Sequence, residues 1–164
     1  MKRHLLTILL LISCSPDSNP NLDAYWNEPP IIEFCDDVPL DSEYILDQFD
    51  WFHYEISNSY SYQYVIYSSC EEDRDLGVIR VKLANPKTLE RLGAAAYVND
   101  FEIEKHNGRY IMLGATINLT EFNLENAIRH EIGHAYGWNH FSDEEHLMSG
   151  NGGWKTYGLD NYPG

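Results

Sequence analysis

Between residues 31 and 138 the spacing of apolar positions changes several times, and each change predicts an element. IIEF at 31–34 is a short apolar run, read as a first strand. In LDSEYILDQFDWFHYEI, Leu40, Tyr44, Ile45, Phe49, Phe52 and Ile56 recur at helical spacing, with Asp41 placed to cap the N-terminus. That pattern predicts an amphipathic helix of about four turns. YSYQYVIYSS (60–69) and LGVIRVKLA (76–84) are rich in β-formers and predict two strands. Asn85-Pro86 interrupts the pattern, and LGAAAYV predicts a short strand over 92–98. Asn107-Gly108 signals a turn, and RYIMLGATINL a further strand ending near Leu119. A helix starting at Thr120 or Asn123 follows, and after Trp138 the chain turns rich in Gly, Asn and aromatics without a period. Strand, helix, several strands, helix and coil make an α+β arrangement around one sheet.

The first thirty residues change the picture of where the chain works. MKRHLLTILLLISC opens with Lys2 and Arg3, then an apolar run too short for a permanent membrane span. It reads as an export signal over 1–13, followed by a flexible tether over 14–30 and a folded domain over 31–164. Leu11-Ile12-Ser13-Cys14 resembles the lipobox of bacterial lipoproteins, which implies lipidation of Cys14 and a membrane anchor outside the cytoplasm. The alternative is an ordinary signal peptide and a secreted product. Cys35 and Cys70 then remain, either as a disulfide suited to an exported chain or as two buried thiols. Without Lys2 and Arg3 the chain has 9 basic and 26 acidic side chains, a net charge of −17. Such a surface repels phosphate backbones and excludes nucleic acid as a partner. A monomer is expected.

Four of the seven histidines fall in ENAIRHEIGHAYGWNHFSDEEHLM, residues 125–148. His130 and His134 are four apart on a helix, so both imidazoles project from one face and can grip one Zn²⁺. Glu131 lies between them, placed to act as a base beside the metal rather than as a ligand. Gly137 comes where a helix often ends in a left-handed residue. Such a stop lets the chain bend and bring His140 back as a third ligand, leaving one coordination position open. The five fixed positions of HExxHxxGxxH arise by chance in about one chain in 10⁴ or fewer.

HEIGHAYGWNH matches the long zinc signature of the metzincin metallopeptidases, and HFSDEEHLM is most similar to their matrixin branch. LGAAAY resembles the strand that forms the upper rim of the matrixin cleft. The resemblance implies a twisted, mixed sheet of about five strands with a backing helix and an active-site helix. It implies His130, His134 and His140 as zinc ligands, Glu131 as general base and Met148 as the floor of the site. It also implies that Ala94, Ala95, Ala96 and Tyr97 line a substrate rim, where an extended peptide would add as a strand. Phe141 stands where matrixins usually carry serine, and no Gly-rich loop for structural zinc and calcium is evident. Sixteen residues follow Met148, so Trp154 or Tyr157 is expected to wall the specificity pocket.

Zinc is the one cofactor expected; calcium is not indicated. The implied activity is hydrolysis of peptide bonds in extracytoplasmic proteins or peptides, with Glu131 moving the proton. The alternative is a surface lipoprotein that binds metal without turnover, which would need the histidines but not Glu131. His146 is expected to face solvent, and His53 and His106 to be structural or surface residues. The twelve tyrosines are read as strand packing.

Overall fold

The computed structural model describes residues 24–35, 37–56, 63–66, 76–123, 125–140 and 146–149. Their elements run β1 (Ile31–Phe34), α1 (Ser42–Ile56), β2 (Gln63–Ile66), β3 (Val78–Leu83), α2 (Pro86–Leu92), β4 (Tyr97–His106), β5 (Arg109–Leu119) and α3 (Glu125–Ala135). The strands form one five-stranded mixed sheet in the order β2-β1-β3-β5-β4. β1 pairs in parallel with β2 and β3, and β3 with β5, whereas β4 runs antiparallel to β5. Parallel neighbours require crossover connections, and α1 supplies the one between β1 and β2.

Period-two alternation sorts the strand residues between two faces. Ile32 and Phe34 of β1, Ile79 and Val81 of β3, and Ile117 and Leu119 of β5 join the hydrophobic core. Against that face pack Ile45, Phe49 and Phe52 of α1 with Ile128, Ile132 and Ala135 of α3. Both long helices therefore share one core, and α1 backs the helix that carries the histidines. Asp41 caps α1 as expected, its carboxylate accepting from the Glu43 and Tyr44 amides at 2.8 and 3.4 Å. Tyr44, at the edge of the apolar stripe, is exposed rather than buried.

The opposite strand positions are polar yet buried. Glu33 and Arg80 are register partners on β1 and β3, joined by an Nε–Oε2 ion pair of 3.0 Å. Arg80 is in turn the register partner of the fully buried Thr116 on β5. A pair so well hydrogen-bonded contributes little net stability but is expensive to break, because the survivor is left as a buried charge.

The segment around residue 90 departs from the predicted pattern. Asn85 does not break structure there but caps a helix, accepting from the Lys87 amide at 3.0 Å, and Pro86 takes a first-turn position that needs no amide. Gly93, left-handed at φ 63°, closes that helix. The strand expected over 92–98 therefore begins only at Tyr97 and continues to His106. None of α2 is buried, so its caps rather than a core hold it. Asn107 and Gly108 both have positive φ, as a tight β4–β5 turn requires.

Ordered packing also begins before Ile31, within the stretch that composition assigned to a tether. Ala24 and Trp26 belong to the hydrophobic core, and Tyr25 forms a parallel bridge with Ile111 just ahead of the point where β3 joins β5. Pro30, too, is buried. No helix among the described residues is long and apolar enough to cross a membrane.

Arg80→Ala is expected to destabilise the fold by about 3–5 kcal/mol, since Glu33 then remains buried without its cation. In chemical denaturation the double variant Arg80→Met with Glu33→Leu should recover most of that loss; equal instability of the two variants contradicts this assignment.

Candidate metal centre

Every residue of α3 from Ala127 to Ala135 is buried, including Arg129, His130, Glu131 and His134. A histidine-rich helix on a solvated face is thereby excluded. Arg129 carries no part of the site: it donates to Gln48 at 2.9 Å and lies 4.1 Å from the Trp51 ring centroid, tying α3 to α1.

The end of α3 explains how His140 returns. The Trp138 amide donates to the Gly133 carbonyl at 3.0 Å and the Gly137 amide to the His134 carbonyl at 2.9 Å. Gly137 has φ 93°. This is a Schellman termination, in which a left-handed residue folds the chain back across the last turn. Gly137 is required twice over, because a Cβ there would also overlap the Ala24 carbonyl.

The three imidazoles converge. Their Nε2 atoms are separated by 3.0 Å (His130–His134), 3.1 Å (His134–His140) and 3.3 Å (His130–His140). Backbone carbonyls orient two of the rings. His130 Nδ1 donates to Leu147 O and His134 Nδ1 to Trp138 O, each at 2.7 Å. A carbonyl oxygen only accepts, so the proton of each neutral ring sits on Nδ1 and a bare Nε2 lone pair faces the cluster. Burial keeps the rings neutral. It lowers the pKa of His130 to about 4, partly opposed by the Leu147 hydrogen bond, and holds His134 well below its ordinary value and His140 below it.

Two lone pairs facing each other at 3.0 Å have no proton to share and repel, which a cation relieves. Tetrahedral zinc with bonds of about 2.0–2.1 Å spaces its donors by roughly 3.3–3.4 Å, close to the separations found. His130, His134 and His140 thus form a group able to hold a metal ion such as zinc.

Glu131 is only 8 % exposed, and among the described residues its carboxyl makes no hydrogen bond or ion pair. Burial alone raises its pKa to about 8. A buried carboxyl left without a partner is rare and calls for an explanation.

Met148 is fully buried, and its sulfur and methyl press on the backbone of Gly133, where any Cβ would collide with them. Glycine inside a helix costs about 1 kcal/mol against alanine, and here that close approach accounts for it. His146 does not face solvent as expected. It is 6 % exposed, and its Nδ1 accepts from the Met148 amide at 3.0 Å, fixing the turn that also presents the Leu147 carbonyl. His106 is exposed, in keeping with a surface residue. The side chain of His53 lies outside the described residues, as do Cys14, Cys70, Phe141, Trp154 and Tyr157.

The rim residues divide. Tyr97 opens the edge strand β4, whereas Ala94 and Ala95 lie in the connection from α2 and Ala96 is buried in the core. Asn123, rather than capping α3, accepts from the Thr120 amide and donates to Ala95 O at 3.2 Å, which ties that connection to the turn before α3. Cys35 is disulfide-bonded.

Trp26, Gly133 and the two orienting carbonyls did not stand out in the sequence, and His146 was expected in solvent. A lone tryptophan in a polar N-terminal run and a glycine inside a helical pattern were the available signals. No protein-family model and no curated protein matches the chain.

Two outcomes are expected. Gly133→Ala lowers the melting temperature although alanine is the better helix former, and Met148→Ala in the same chain costs less than it does alone, because the collision is removed. In chelator-treated protein, stability peaks near pH 6.5. Below it the unfolded histidines bind protons that the buried rings refuse, so stability falls towards about pH 4. Above it the folded state holds the Glu131 proton that the unfolded chain has lost, so stability falls as pH rises to about 8. Urea unfolding across this range should show the alkaline decline in wild type and not in Glu131→Gln; a decline equal in both contradicts it.

Proposed function

We propose that this chain is a zinc-dependent endopeptidase of metzincin type that hydrolyses peptide bonds in proteins outside the cytoplasm. The observation that carries this reading is Glu131, a buried carboxyl without a partner among the described residues and next in sequence to His130, one of three imidazoles whose Nε2 atoms lie within 3.3 Å of one another. A metal store needs the imidazoles only; a hydrolase also needs a base.

His130, His134 and His140 would hold the ion. Zinc bound by neutral imidazoles keeps its full charge and supplies Lewis acidity, acidifying water and polarising a carbonyl. With a dication held by the three imidazoles, Glu131 would favour its carboxylate form. Glu131 would take a proton from the water that attacks the peptide carbonyl and deliver it to the amine released when the C–N bond breaks. The Leu147 and Trp138 carbonyls hold two of the rings in the required tautomer throughout. Met148 supports the helix from beneath at Gly133.

An extended substrate would pair with the outer edge of β4 from Tyr97 onward, since an edge strand offers main-chain hydrogen bonds without demanding a sequence. The disulfide at Cys35 suits an oxidising compartment, which supports export, with Cys70 as its partner and Cys14 as the lipid attachment point. The acidic charge favours a monomer without nucleic-acid partners.

Glu131→Ala should retain one zinc per chain yet lose cleavage of casein by at least about 10²-fold, the scale of a lost general base. Equal cleavage by wild type and variant, or none by zinc-loaded wild type, excludes catalysis by this site and leaves metal binding as its role.

A further inference from the structure

Of three consecutive residues upstream of β1, the first and third, Ala24 and Trp26, engage the end of the histidine-bearing helix. The Schellman turn occupies the carbonyls of Gly133 and His134, and the next carbonyl, Ala135 O, accepts from the Trp26 indole at 3.0 Å. The Ala24 carbonyl abuts Gly137, the pivot of the turn. Tyr25, between them, is fastened to the sheet: its amide donates to Tyr110 O at 3.0 Å, and its carbonyl accepts from the Met112 amide at 2.8 Å. Ala24 and Trp26 are buried while Tyr25 is half-buried, the alternation of an extended segment with one face on α3.

We propose that residues 24–26 clamp the C-terminal end of α3, with Trp26 as a positioning residue that fixes His140 relative to His130 and His134. This rests on the metal site proposed above. His130 and His134 belong to a helix packed on α1 and are held by that core. His140 comes back towards them through the turn that pivots on Gly137. Helix ends fray unless their last carbonyls find donors, and fraying here displaces one ligand of three. The indole supplies a donor for such a carbonyl, and the Tyr25 backbone beside it is hydrogen-bonded to β5. The clamp therefore converts a helix terminus into a fixed ligand mount without itself touching the metal.

Trp26→Phe removes the indole N–H and keeps an aromatic ring; Tyr25→Pro separately removes the amide that fastens the clamp to Tyr110. In the full chain, zinc affinity is measured by competition with a chromophoric chelator. Amide exchange at Gly137 and Trp138 is measured after chelator treatment. Both variants should bind zinc about 10-fold more weakly, as expected for groups supporting a ligand. Both should also exchange those two amides several-fold faster, with β3 and β5 amides unchanged. Wild-type zinc affinity in both variants overturns the positioning role, and so does exchange that accelerates equally throughout the fold. Should wild type itself retain no zinc, the metal site fails, and the exchange at Gly137 and Trp138 decides the clamp by itself.

Discussion

Mutual repulsion among three imidazoles, two of them buried and the third half-buried, is the constraint around which this molecule is built. Two of the rings point unprotonated nitrogens at each other across 3.0 Å, in surroundings that resist charging either one. Left alone, that arrangement is unfavourable, and side chains with rotamer freedom would swing apart. Hydrogen bonds to Leu147 O and Trp138 O, burial of the helix from Ala127 to Ala135 and a fixed turn hold them together. Such preorganisation against repulsion makes physical sense where a cation supplies the missing attraction.

The rest of the structure follows from supporting that helix. α1 packs behind it through Phe49 and Phe52, and the Phe52 ring stacks on Tyr136 and tilts against Trp138, bracing both sides of the helix end. Met148 fits where Gly133 leaves room, and the turn containing it delivers the carbonyl that orients His130. His146 stabilises this turn by accepting the Met148 amide. One short segment thus performs three tasks, which explains why residues near 148 are buried despite lying in coil.

Much of this was legible in the sequence where one physical rule dominates. The spacing of His130, His134, Gly137 and His140 marks the site because helix pitch and a left-handed stop leave few ways to arrange those residues. β5 was readable from Arg109 to Leu119 because a long, largely apolar run follows an Asn-Gly turn. α2 was not, since Asn-Pro is at once a breaker and a helix start, and only tertiary context chooses. Trp26 was hidden for a different reason: its partner, Ala135, is 109 residues away, and composition around it reads as linker. His146 was misread as exposed because no periodicity governs a coil. The resemblance to metzincins rests on one short segment, and the structure adds to it the buried mount around that segment.

X-ray absorption at the zinc edge, on protein loaded with one equivalent of zinc, tests the account most directly. Three imidazole nitrogens at about 2.0–2.1 Å with one further light ligand are predicted. A spectrum with fewer than three imidazoles, or zinc lost on gel filtration, would contradict it.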